Sequence, residues 1–461
     1  MTSAAPILTG TGSISRQTFL ISGLLLALFK QGLDIGLSVL AFHRTVRAFN
    51  YWFPFDRAVA LTSLGAADYK HLLAIVAVAV PFIWIGVCLT LARLRDAGLP
   101  LWLSLFFFVP FLNMLLFIFL CCVPTAEAAT RRGPLAARHR SFDQWIPRGV
   151  AASAFAGAML TLLLGLLFVG FSTTVLASYG WGLFVGVPFM MGFLSVTIYC
   201  FHEPRTFSSC IGVACLSPML LGLGLLAYAI EGIICLLMAA PLAMVLALMG
   251  GSFAYWLQSS RHPSPATPAV MGLLLLGLPL GMSVERLLSP APPVFAVTTS
   301  VEVDAPPEVL WPNVIAFAEL PPPSELLFRA GVAYPIRAEI VGAGPGAVRR
   351  CVFSTGAFLE PITVWDAPRL LKFSVASNPA PLAEWTPYES ITPPHLRGFL
   401  VSEGGQFRLT PLSGGRTLLE GTTWYRHSMW PASYWKLWSD HIIHEIHLRV
   451  LRYIAARSVS R

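Results

Sequence analysis

Residues 207–250 form one continuous apolar run, interrupted by a single charged side chain, Glu231. As a helix this run would measure about 66 Å at 1.5 Å per residue, roughly twice the ~30 Å hydrocarbon core of a bilayer. It must therefore cross twice, turning near Glu231. Further runs that meet the requirement of about 20 apolar residues for one crossing lie at 17–42, 71–92, 150–172, 177–201 and 268–284. The run at 100–124 is broken by Pro110 and Asn113. Broken backbone is tolerated at membrane depth only under protein cover, so this run is expected to enter and leave on one side. The expectation is seven full spans and one re-entrant segment.

Composition agrees, with 56% hydrophobic and 12% charged residues against roughly a quarter charged in soluble proteins. The charges divide unevenly. Residues 1–290 hold 16 of the 31 Lys and Arg but 9 of the 23 Asp and Glu, so most of the net +8 belongs to the membrane half. Arginine excess in short loops marks the cytoplasmic side. The clearest such loop carries Arg131, Arg132, Arg138, Arg140 and Arg148. Five crossings after it place the C-terminal part outside the cytoplasm. No basic, aromatic-interleaved soluble face is visible, so nucleic acid is not an expected partner. Residues 2–16 lack the basic start of a cleavable signal, leaving the first span to act as membrane signal.

Two stretches resemble known families. Ile14-Ser15-Arg16-Gln17-Thr18-Phe19 ahead of the first span, and Ala92-Arg93-Leu94-Arg95-Asp96 followed by Gly98 and Trp102, resemble a small bacterial inner-membrane family known as domain of unknown function 805. That family opens on Gly-Arg-x-x-Arg and carries Arg-Arg-x-His-Asp after a span. Here Ser13 replaces the first Arg, Ala92 the next, and Arg95 stands at the usual His. The similarity covers about residues 10–130 and implies no activity.

Beyond the last span the pattern changes. Phe295, Val297, Thr299, Val301 and Val303 alternate with Ala296, Thr298, Ser300 and Glu302, the period-two pattern of a half-buried strand. Asp304 then offers a helix cap, with Pro306, Pro307 and Glu308 in the first turn. The spacing predicts a strand over 295–303, a helix over 305–317 and strands at about 335–342, 346–354, 357–365, 369–376, 398–410 and 415–426. A long helix over 431–457 closes the chain. This order, with the opening Val301-Glu302-Val303-Asp304-Ala305-Pro306-Pro307-Glu308-Val309-Leu310-Trp311, resembles the SRPBCC superfamily, which includes START lipid-transfer domains and polyketide cyclases. The resemblance implies a helix-grip fold with a cavity for apolar ligands, and no particular reaction. The expected fold class is thus a multi-pass α-helical membrane region followed by an α+β helix-grip domain with an antiparallel sheet. Its organisation is a membrane region over 1–130, a basic cytoplasmic loop over 131–149, a second membrane region over 150–284, a proline-rich linker over 285–294 and the helix-grip domain over 295–461.

In that domain, a two-residue turn at Thr355-Gly356 would set Phe353 opposite Phe358, Cys351 opposite Glu360 and Arg349 opposite Ile362. Arg349, Cys351, Phe353, Phe358 and Glu360 would then share the cavity face, with Glu360 and Arg349 either anchoring a ligand's polar group or forming a structural ion pair. A bulge would bring Arg350 inward instead. On the final helix, Trp435, Trp438, Ile442, Ile446, Val450 and Tyr453 form an apolar stripe expected to pack on the sheet and line the cavity, with Trp435, Trp438 and Ile442 as ligand-binding candidates. His441, His444 and His447 fall opposite it; a metal site with Asp440 or Glu445 is the alternative, but without an HExxH pattern they read as a solvated or membrane-facing face. Residues 378–395, with Glu384, Trp385 and Tyr388, read as a surface loop or a lid, and His395 and His427 as lone structural histidines.

Seven of the eight cysteines lie in apolar stretches and Cys351 alone in the tail, with no CxxC or metal-type spacing. No metal, cofactor or catalytic residue is assigned. Within the membrane, Lys30 and Asp34 share a helix face, and Glu231 is either a turn residue or a buried acid. Gly180, Gly182 and Gly232 offer close approach between helices. The resulting expectation is a membrane-anchored binder of a lipid or other apolar molecule. The alternatives are a cyclase- or hydrolase-like enzyme, and a transporter using Lys30, Asp34 and Glu231.

Overall fold

A computed structural model of the chain describes residues 12–43, 66–125, 145–259, 270–288, 291–388, 391 and 393–459. Arg131, Arg132, Arg138 and Arg140 of the basic loop lie outside the described residues. Seven helices are long and apolar enough to cross a membrane: Arg16–Phe42, Lys70–Asp96, Val150–Val175, Gly182–Tyr199, Phe207–Ala227, Ile233–Ser259 and Val270–Leu288. The outer helices expose large apolar side chains, Leu25 and Leu28 being 62% and 65% exposed, as lipid-facing surface requires, whereas Gly182–Tyr199 is largely buried. The chain is a multi-pass membrane protein. It divides into two compact units, one of Met1–Leu167, Pro188–Ala229 and Ala243–Leu274, the other of Phe168–Val187, Ile230–Leu242 and Leu275–Arg461.

In the first unit, α1 (Arg16–Phe42) is capped by Ser15, whose hydroxyl accepts from Thr18 N. Lys30 and Asp34, one turn apart on α1, form an ion pair, so the two intramembrane charges neutralise each other within one helix. After α2 (Ala66–Asp96) the chain departs from a simple span. Leu101–Phe108 is a 3-10 helix, Phe111 takes a φ of +59°, and α3 (Leu112–Cys122) has 11 residues, about 16 Å and too short to cross.

The end of α3 returns to the end of α2. Arg93, fully buried, donates through Nε to Leu120 O at 3.0 Å, donates to Val123 O and pairs with Asp96. Thr125 Oγ1 donates to Asp96 at 2.6 Å. Residues before and after the broken segment thus meet, as a re-entrant hairpin requires. Arg93 caps the C-terminal carbonyls of α3, where a cation is favoured. The break itself is covered by Tyr228, whose hydroxyl donates to Pro110 O at 2.5 Å.

The remaining membrane helices are α4 (Val150–Gly170), α5 (Val187–Tyr199), α6 (Phe207–Ala227), α7 (Ile233–Ser259) and α8 (Leu278–Leu288). Glu231 sits in the turn between α6 and α7 and is buried, 8% exposed.

In the second unit the tail forms β1 (Val294–Val303), α9 (Pro307–Ile315), α10 (Leu326–Arg329), β2 (Pro335–Val341), β3 (Val348–Phe353), β4 (Gly356–Asp366), β5 (Leu370–Ser374), β6 (Leu400–Pro411), β7 (Thr417–His427) and α11 (Ala432–Val459). The strands make one seven-stranded antiparallel sheet in the order β1-β7-β6-β5-β4-β3-β2, gripping α11. This is the expected helix-grip fold. Val297, Thr299 and Val303 of β1 face inward, as their alternation predicts. Leu310 and Val314 of α9 join Leu371, Leu419, Leu451 and Ile454 in the core. The N-cap of α9 is Pro306, without a side-chain bond, rather than Asp304.

Two local expectations are corrected. The β3–β4 turn is Ser354-Thr355, with Gly356 at φ +149° opening β4. Arg349 therefore pairs with Glu360 and Cys351 with Phe358, a slip of two residues that preserves the face. On α11 the buried residues include Trp435, Ser439, Ile443, Val450, Leu451 and Ile454, a stripe turned from the expected one. The turn has a polar cause. His444 Nδ1 lies 2.8 Å from Thr299 Oγ1, and His447 bonds Thr299 at 3.1 Å and Thr423 at 2.7 Å. Histidines read as solvated instead satisfy hydroxyls on the sheet.

Replacing Arg93 by Met would leave Asp96 and two carbonyls without their donor, at a cost of about 3–5 kcal/mol. Thermal unfolding in detergent is expected to show a Tm several degrees lower; an unchanged Tm would show that the cap contributes no stability.

Candidate functional site

Between the sheet and α11 lies a cavity of about 110 Å³ whose walls include five phenylalanines, Phe317, Phe353, Phe358, Phe373 and Phe407. Five of the expected residues reach it: Arg349, Cys351, Phe353, Phe358 and Glu360. Four do not. Arg350 alternates to the other face of β3 and is exposed. Trp435 is buried against Phe184, with ring centroids 4.7 Å apart. Trp438 and Ile442 sit off the lining because α11 is turned; Ile446 and Val450 of the expected stripe do line it, joined by Ile443 and His447. The missed signal was the threonine pair at Thr299 and Thr423, which gives a helix histidine reason to face a sheet.

Arg349 and Glu360 form the polar floor. Arg349 Nη1 lies 2.5 Å from Glu360 Oε2, both side chains being almost fully buried. Arg349 Nε donates to Ile315 O at 3.1 Å, and its guanidinium carbon stands 5.4–5.7 Å from the rings of Phe317, Phe373 and Phe407. Those faces attract a cation. Burial pushes the Glu360 carboxyl above the usual carboxylate range, against the pull of Arg349. The Cys351 thiol is pushed up to about 12 by burial, with Glu360 adding to the effect, so it is no nucleophile at neutral pH. The arrangement can hold a small apolar group against aromatic walls, with a compensated charge pair beneath it.

The loop between β5 and β6, expected on the surface or as a lid, contributes no residue beyond Val375 to this lining. It runs to the start of α7, where Ile233 N donates to Trp385 O at 2.9 Å and Glu384 accepts from Ile234 N at 3.1 Å. His395 is no lone histidine; it packs on Tyr179 and lies beside Glu231 and Cys235. These residues are the group most able to hold a metal. His427 is buried and stacks on Phe295, with ring centroids 5.2 Å apart.

Residues 7–134 match the family described as Protein of unknown function (DUF805). A search of curated proteins gave no match. Similar solved structures include a norcoclaurine synthase from Thalictrum flavum, 13% identical, covering 37% of this chain and 98% of that one at a TM-score of 0.26. Another is the Zhui aromatase/cyclase from Streptomyces sp. R1128, 13% identical, covering 37% and 96% at a TM-score of 0.26. These neighbours are START/Bet v1-like, and the C-terminal region of this chain has that arrangement by its own strand order and final helix.

Burial, with His444 adding to the effect, lowers the His447 pKa from 6.5 to about 4. The unfolded chain therefore binds a proton that the folded chain refuses between about pH 6.5 and pH 4. Stability present above pH 6.5 is lost as pH falls through that window, by about 3 kcal/mol in all. His447→Gln should flatten the fall in Tm between pH 7 and 4.5; parallel curves for variant and wild type would refute this assignment.

Proposed function

We propose that the C-terminal domain binds a lipid chain or another small apolar molecule beside the membrane in which the protein is anchored, for transfer or sensing. The observation that supports this most is the phenylalanine-walled cavity with its buried Arg349–Glu360 floor. Ligand sites are typically apolar clefts with a few placed polar groups. At about 110 Å³ the cavity suits an aromatic ring or a short length of acyl chain. Drug-sized ligands occupy roughly 300–1,000 Å³, so a whole lipid would have to leave most of its length outside.

Glu360→Gln is a poor test, because it would strand Arg349 as a buried charge without its partner. Filling the space is cleaner. Native mass spectrometry of the detergent-solubilised protein is expected to show a co-purified apolar ligand that Ile446→Trp removes while Tm is held. A wild-type protein that never carries or takes up such a molecule would end this reading.

The domain's side follows from crossing number. If the Arg-rich loops are cytoplasmic and the segment after α2 returns to its own side, five crossings after residue 149 bring the tail out on the opposite side. A cysteine introduced at the exposed Ser300 should then react with an impermeant thiol reagent in intact cells. Reaction only after lysis would place the domain in the cytoplasm.

A further inference from the structure

The second unit brings together four side chains that are remote in sequence. Cys235 Sγ lies 2.9 Å from His395 Nε2. The other ring nitrogen of His395, Nδ1, lies 3.4 Å from Glu231 Oε1. Glu384 arrives from the loop before β6, its two oxygens accepting from Ile234 N at 3.1 Å and Cys235 N at 3.3 Å. One donor atom from each of Glu231, Cys235, Glu384 and His395 lies within 4.8 Å of every other. The sequence alone assigns none of these residues to a metal; their donor atoms converge only in the fold.

Two independent features point to an occupant. Glu231 Oε2 and His395 Nδ1 are buried without a hydrogen-bond partner, on residues each only 8% exposed. A buried polar atom left unpaired costs about 1–3 kcal/mol, more when charged. In addition, among the described residues no Lys or Arg pairs with Glu231 or Glu384. Two carboxylates share one partly dry space with a thiol and an imidazole, and among the described residues no Lys or Arg balances them.

We propose that Glu231, Cys235, Glu384 and His395 bind a divalent transition-metal ion, zinc by the chemistry of the donors. One sulfur, one nitrogen and two oxygens form a four-donor set of mixed softness suited to zinc. Bond lengths of about 2.0–2.3 Å put tetrahedral donors roughly 3.3–3.8 Å apart, so the widest donor pairs, at up to 4.8 Å, would close by about 1 Å on the ion while Cys235 Sγ and His395 Nε2, at 2.9 Å, would part slightly. Four protein ligands leave no open position, and the site is structural. Tyr179 donates to Glu231 Oε1 at 3.3 Å and orients that ligand from outside. Gly232 makes room, since a Cβ there would stand 2.2 Å from Glu384 Oε2. The ion would fasten the β5–β6 loop to the first turn of α7.

The test uses the full-length protein in detergent, stripped with chelator and reloaded with Zn²⁺ or Co²⁺. Elemental analysis after dialysis should find about one zinc per chain, and the cobalt form should show a thiolate-to-cobalt charge-transfer band. Cys235→Ser should abolish the band and, like His395→Gln, reduce zinc retention at least about tenfold. Chelator should lower the Tm of wild type but not of either variant. Folded wild type that retains no zinc, or a cobalt spectrum lacking the thiolate band, overturns the proposal; that spectrum decides even if Cys235→Ser does not fold. Zinc retention equal in wild type and both variants would mark an ion held elsewhere and also overturn it.

Discussion

A helix that starts at a membrane boundary presents backbone N–H groups its own first turn cannot satisfy. Here carboxylates from distant parts of the chain meet them. Glu285, on α8, accepts from Trp181 N at 2.6 Å and Gly182 N at 3.2 Å. Glu384, from the β5–β6 loop, does the same for Ile234 and Cys235 at the start of α7. Negative charge is favoured at a helix N-terminus, and both carboxylates lie where glycine leaves space, at Gly180 and Gly232. Most of what distinguishes the second unit follows from these two caps. They commit the β5–β6 loop to the membrane helices, and they set His395 beside Glu231.

The strands and helices were legible because each repeats a period. The alternation of Val297, Thr299 and Val303 and the apolar runs of the spans depend only on which side chains avoid water. What depended on partners was not legible. The β3–β4 turn moved by one residue, with Gly356 at a positive φ at the entry to β4, and the register slipped by two, yet the face survived and Arg349 and Glu360 share it. The face of α11 was misjudged because polarity alone pushed His444 and His447 outward, whereas Thr299 and Thr423 draw them in. Glu231 and His395 are 164 positions apart on opposite sides of a change in composition, and no local pattern joins them.

The cavity owes its form to the same economy. An arginine in an apolar core is costly unless paired, and Arg349 has a carboxylate, a carbonyl and three aromatic faces around it. With its charge compensated, the space above it behaves as an apolar pocket. The tightness of that pairing is why neither residue stands ready as a free acid or base.

Tyr179 carries one more consequence. Its carbonyl accepts from Trp430 N at 2.9 Å, immediately before α11, and its ring packs edge-on against Phe399 and His395. Phe184, one helical turn on, covers Trp435. Cutting the chain at the proline-rich linker would therefore not release an intact soluble domain. It would strip the start of α11 of the aromatic collar that Tyr179 and Phe184 provide. Dissection at the compositional boundary would expose an interior.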